Sequence, residues 1–305
     1  MSQRYGGKAE TKEETQARLR SVDISVSDLF DADKPWVLVP NGSLLGYFDW
    51  VPVKLRMGPW SSVATPFLFC MVYVLLMAVC YLSRETSKYN NFPIASEYPQ
   101  VGTSWWYYDF VIFLWMGFVT LYVFRGPLKF KAWVTFTMWS WTVLFFRHGL
   151  CCVLPIFPNQ RWLLQLTEYL RLPSLLMATI TFSLWNFVVG PFIYFTLDDP
   201  EKRARTVKYF ISWRLTQVHV FNIIYAVLNG VYASPPRSLT LMDFVVSFGI
   251  AFIYMIFYVG VLDRVGVHLY AIFSPRTPFL ILSWSMILVC YGGCYYLWNS
   301  ILTPR

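Results

Sequence analysis

Residues 62–82 read Ser-Val-Ala-Thr-Pro-Phe-Leu-Phe-Cys-Met-Val-Tyr-Val-Leu-Leu-Met-Ala-Val-Cys-Tyr-Leu, with no charge anywhere in the run. A helix rises about 1.5 Å per residue, so a stretch of this length covers the roughly 30 Å hydrocarbon core of a bilayer. Backbone groups in lipid have no water to bond to and must be satisfied within the segment, which makes a helix the expected form. Working outward, comparable runs recur at 105–124, 132–154, 172–196, 215–233, 239–262 and 277–301. The expected fold is therefore an all-α polytopic membrane helix bundle of about seven transmembrane helices.

Composition agrees. Of 305 residues, 56% are hydrophobic and only 14% are charged, against the roughly 25% charged residues of a soluble domain. The net charge of +8 lies in short loops and forms no long basic patch, which argues against nucleic acid as a partner. It fits the excess of Lys and Arg that marks the cytoplasmic-type side of a membrane. With seven spans, loops 125–131, 197–214 and 263–276 share a side with the N-terminus and are the more basic set, so the N-terminus is expected on the cytoplasmic or matrix-type side. The organelle stays open between endomembrane, plasma membrane and mitochondrial inner membrane. No signal peptide is legible, and the acidic residues before Asp33 argue against a transit peptide.

The chain divides into a polar tail (1–35), an aromatic strip suited to the membrane interface (36–61), a first span (62–82) and six further helices (105–301). The cysteines Cys70, Cys80, Cys151, Cys152, Cys290 and Cys294 show no CxxC spacing, and no metal site or disulfide framework is expected. No cofactor is expected either. His148 and His219 lie near opposite surfaces, too far apart to face each other across a haem, and there is no Gly-rich phosphate loop.

Ionisable residues at membrane depth are the first functional candidates. His219 lies five residues past Arg214, about 7–8 Å in from the inner surface, and Thr135 lies four past Lys131, about 6 Å in. Both spans run outward, so a hydroxyl and an imidazole share one depth. A neutral imidazole in that position can take a hydroxyl proton and create a nucleophile. A Thr bonded to its own helix, and a His that merely bridges helices, are the structural alternatives.

A second polar set gathers at the outer end: Asp109, Arg147, His148, Glu168, Arg171 and Asp243. Opposite charges at one level suggest ion pairs tying helix ends together, with snorkelling to the interface as the alternative. At the inner end, Asp263, Arg264 and His268 form a third group, in which Asp263 could orient His219 as a triad acid does.

Three segments carry a resemblance. Lys131-Ala-Trp-Val-Thr-Phe-Thr-Met-Trp139, Leu215-Thr-Gln-Val-His-Val-Phe-Asn222 and His268-Leu-Tyr-Ala-Ile-Phe273 resemble motifs of the androgen-induced/rolling-stone family of multi-pass membrane proteins over about 105–301. That family has six spans, so the first span and the residues before it look like an addition. Its members include threonine hydrolases of fatty-acid esters of hydroxy fatty acids, and the resemblance implies Thr135 as nucleophile and His219 as base. Thr216 and Gln217 stand where the hydrolase branch has Asn-His, and Ala271 replaces a proline. Rolling-stone-like members are linked to cell fusion instead.

Three functions follow as expectations. The first is a non-catalytic structural subunit of a larger membrane assembly, with membrane lipids and other membrane subunits as partners. The second is an intramembrane threonine-type hydrolase of lipid esters. The third is a transporter or channel, for which the apolar middles of the spans offer no polar path.

Overall fold

The computed structural model describes residues 60–84, 92–126, 129–196, 200–263, 270, 273–276 and 279–304. Among them every regular element is helical. Helix α1 (Ala64–Arg84) is followed by a 3₁₀ turn (Ala95–Glu97) and α2 (Ser104–Phe124), whose N-terminus is capped by the Thr103 side chain accepting from the Trp106 N–H. A 3₁₀ stretch (Lys129–Val134) leads to α3 (Phe136–Val153), then α4 (Arg161–Tyr169). A longer rod joins α5 (Arg171–Ser183), a π-helical stretch (Leu184–Val189) and α6 (Gly190–Thr196). After α7 (Pro200–Phe210) comes a second rod: α8 (Trp213–Thr216), a π stretch (Gln217–Phe221), α9 (Asn222–Val227) and a π stretch (Leu228–Tyr232). Helix α10 (Leu241–Phe257) ends in a π stretch (Tyr258–Leu262), and α11 (Phe279–Leu302) closes the described chain.

Among the described residues, five helical stretches are long and apolar enough to cross a membrane: Ala64–Leu82, Ser104–Phe124, Arg161–Val189, Leu241–Leu262 and Leu280–Leu302. The chain accordingly reads as a multi-pass membrane protein. The remaining two expected spans, 132–154 and 215–233, are also helical but do not join that set. The reason is visible in their sequences. Helix α3 carries Arg147 and His148, and the second rod carries Gln217, His219, Asn222 and Asn229, all of them buried. The expected start at residue 132 is also displaced, because residues 129–134 wind as a 3₁₀ turn and α3 begins only at Phe136.

The residues fall into two compact units, one of Met71–Tyr254 with Met286–Arg305, the other of the residues up to Cys70 with Met255–Ser285. In the larger unit α3 lies between α2 and α5, and α9 packs on α5. Eight consecutive residues of α5, Arg171–Ala178, are buried, so the first two turns of this helix are enclosed on every side. Helix α1 is the opposite case: only 6% of its apolar stretch is buried, and Phe69, Tyr73, Val74, Leu76 and Met77 are exposed, as lipid-facing side chains are.

Close approach of α5 to the second rod depends on Gly230. A Cβ there would lie 2.9 Å from Leu175 Cδ1 and 3.0 Å from its Cγ and Cδ2. Gly230→Ala is expected to destabilise the protein by about 1–3 kcal/mol, read as a lowered Tm in detergent micelles. An unchanged Tm would show that Leu175 repacks freely.

Candidate functional site

Three of the hydrogen-bonded side-chain pairs that join α3 to the second rod share one separation, 82 residues. Thr137 Oγ1 meets His219 Nε2 at 3.1 Å, Asn222 Nδ2 donates to Ser140 Oγ at 3.0 Å, and Arg147 Nε donates to Asn229 Oδ1 at 2.6 Å. A constant offset means that the two helices advance in the same direction at the same rate, so they run parallel with their polar faces together. Between the second and third pairs the facing residues Leu144 and Ala226 are buried and apolar.

At the first pair, chemistry decides the protonation pattern. His219 Nδ1 lies 2.9 Å from the Leu215 carbonyl oxygen, which can only accept. In the neutral ring the proton is therefore on Nδ1, and the Nε2 lone pair receives the Thr137 O–H. That is the arrangement of a hydroxyl with a general base whose other nitrogen is held by a third group. Both side chains are buried. The Trp185 indole stacks on the imidazole with centroids 3.8 Å apart and an interplanar angle of 19°, and it meets the Phe210 ring edge-to-face with centroids 4.5 Å apart. The π face of an indole attracts a cation, so this wall reduces what burial costs the imidazolium that forms when His219 takes a proton. Trp185 and His219 both sit in π-helical stretches, a form that recurs at functional sites. Gln217 is occupied nearby: its Oε1 accepts from Trp115 Nε1 at 3.1 Å and from the Tyr225 hydroxyl at 3.3 Å.

The hydroxyl at His219 is thus that of Thr137, not of Thr135. Thr135 is the N-cap of α3: its Oγ1 accepts from the Met138 N–H at 3.3 Å and donates to the Ala132 carbonyl at 2.9 Å. The counting that placed Thr135 at the depth of His219 assumed a helix from Lys131 onward. The 3₁₀ entry removes that premise.

At the outer end, the polar set expected there is brought together and extended. Asp109 Oδ1 accepts from His148 Nδ1 at 2.7 Å and from Asn229 Nδ2 at 2.8 Å. Arg147 also donates to the Thr167 carbonyl and to Ser234 Oγ. Arg171 holds the carbonyls of Gly230 and Pro235 and lies 3.8 Å from Glu168. Glu168 accepts from the Tyr98 hydroxyl and from Arg237, whose fork grips Asp243 at 2.8 and 2.6 Å. Burial by itself disfavours a charged guanidinium, but bonding and charge from Asp243 and Glu168 outweigh it and hold Arg237 above the ordinary arginine value. Arg147, Arg171 and Arg237 thus balance Asp109, Glu168 and Asp243, all buried, so the snorkelling alternative does not describe them.

The third group is divided. Asp263, in the smaller unit, accepts from Arg276 at 3.2 and 2.9 Å and from Trp60 Nε1 at 2.9 Å. The group that holds His219 Nδ1 is the Leu215 carbonyl, so the orienting role expected of Asp263 falls to the backbone. Arg264 and His268 lie outside the described residues, as do the expected tail and most of the aromatic strip. Among the described residues no three His, Cys, Asp or Glu side chains gather as a metal site would require.

The chain matches no protein-family model, no curated protein and no solved structure. Sequence reading overlooked Thr137, Ser140, Asn222, Asn229 and Arg237. The first four were detectable as a pattern, since Thr137, Ser140 and Arg147 repeat the spacing of His219, Asn222 and Asn229.

Proposed function

We propose that this protein is an intramembrane hydrolase of acyl esters, with Thr137 as nucleophile and His219 as base. The observation that supports it is the Thr137–His219 bond with the Leu215 carbonyl behind it. His219 Nε2 takes the hydroxyl proton as Thr137 Oγ attacks the ester carbonyl. The imidazolium, faced by Trp185, then protonates the departing alkoxide, and an acyl-Thr137 ester remains. Water attacks that ester, gives its proton to Nε2, and releases the carboxylic acid as the proton returns to Oγ.

The resemblance to the androgen-induced/rolling-stone family implies the same chemistry and the same base, but its motif matches Thr135 as nucleophile; the contact with His219 moves that role to Thr137 in this proposal. On this reading all seven helices cross the membrane with the N-terminus on the cytoplasmic-type side. Helix α3 and the second rod are spans whose apolarity is diluted by side chains turned toward one another. The alternative of a non-catalytic subunit draws on residues 1–59, outside the described part, and no observed geometry favours it.

The test is covalent labelling by a fluorophosphonate probe in membranes. Wild type and Thr135→Ala are expected to label, Thr135→Ala with a cap loss of about 1 kcal/mol. Thr137→Ala is expected not to label. Equal labelling of Thr137→Ala and wild type would sink the assignment.

A further inference from the structure

Asn222 is fully buried, and only half of its amide is used. Nδ2 donates to Ser140, whereas Oδ1 is enclosed with no hydrogen-bond partner among the described residues. Buried polar atoms are almost always satisfied, so an orphan beside a reactive pair points to a donor that binds there. Asn222 lies three residues beyond His219 and Ser140 three beyond Thr137, on the faces that meet, so the two rungs are about 4.5 Å apart along the helices.

We infer that Asn222 Oδ1 holds the water that hydrolyses acyl-Thr137. The inference rests on the hydrolase reading above and adds a catalytic residue to it. Before acylation, His219 Nε2 receives the Thr137 O–H. Once Oγ is esterified that donor is gone, and Nε2 becomes an open acceptor. Two buried acceptors, Nε2 and Asn222 Oδ1, then face one molecule with two O–H bonds. A water giving one hydrogen to each has its oxygen lone pair free for the acyl carbonyl. On attack, the proton bonded to Nε2 passes to His219, and the hydrogen on Asn222 stays with the new carboxyl group. The C–Oγ bond breaks and Oγ regains its proton from Nε2.

The experiment uses the purified full chain in micelles with p-nitrophenyl octanoate, following release of p-nitrophenol and the mass of the intact protein, with gel filtration as the check of fold. Asn222→Leu is expected to keep a burst of one p-nitrophenol per chain. Its steady-state rate should fall about 100-fold, the usual cost of a misplaced reactant, while an octanoyl adduct accumulates on Thr137. Asn222→Asp keeps an acceptor oxygen and should turn over within about 10-fold of wild type. An unchanged steady state in Asn222→Leu, a joint loss of burst and turnover without adduct, or a change confined to KM would each overturn the inference. So would a folded Asn222→Asp that acylates without turning over, which keeps the test decisive if Asn222→Leu does not fold. A wild type that hydrolyses no faster than Thr137→Ala removes the hydrolase reading itself, a result separable from all of these.

Discussion

Arg237→Met should destabilise this protein by about 3–5 kcal/mol. Its guanidinium is the shared partner of Glu168 and Asp243. Without it, buried Asp243 loses its cation and Glu168 keeps only Arg171 at 3.8 Å, although Tyr98 still donates to Glu168 and the Thr240 N–H to Asp243. The cost arises from the charges left behind more than from the bonds removed, and that makes it testable by rescue. Adding Glu168→Gln and Asp243→Asn to Arg237→Met removes both orphaned charges and should recover much of the lost stability. The measurement is the thermal midpoint in micelles for the single and triple variants. A triple variant as unstable as the single would mean that Arg237 acts by packing.

The second large effect is on turnover. His219→Phe preserves a flat ring against Trp185 and deletes the base. It should lower kcat for p-nitrophenyl octanoate about 10³-fold with little change in KM, because proton transfer in the transition state is worth 10²–10⁴. The fold should persist, since Thr137 can turn its hydroxyl to a carbonyl of its own helix, as helical threonines commonly do. Turnover equal to wild type would leave His219 as a packing residue and nothing more.

Apolar runs were legible because hydrophobicity along a chain is a direct reading of what lipid tolerates. The expected 62–82, 105–124, 239–262 and 277–301 correspond closely to α1, α2, α10 with its π end, and α11. His219 was legible for the converse reason, being an ionisable group inside such a run. Its partner was not. Thr135 and Thr137 flank Phe136, and only the 3₁₀ entry, which consumes Thr135 as a cap, separates them. Arg237 was hidden differently. It follows Pro235–Pro236 in a connection that reads as solvated, and its burial exists only once Glu168 and Asp243 converge on it. The orienting carbonyl of Leu215 could not be read at all, because a backbone atom leaves no mark on residue identity.

The constant offset between the two parallel helices has a consequence for how this protein diverges. Insertions and deletions in the connections between residues 154 and 212 change the offset but leave every pair intact, whereas one inserted residue inside either helix turns its far end by about 100° and parts the pairs beyond it. The quantity under selection is the spacing within each helix, not the distance between them. A relative too remote for a whole-chain alignment should still carry Thr-x2-Ser-x6-Arg in one helix and His-x2-Asn-x6-Asn in another, with connections of variable length between the helices.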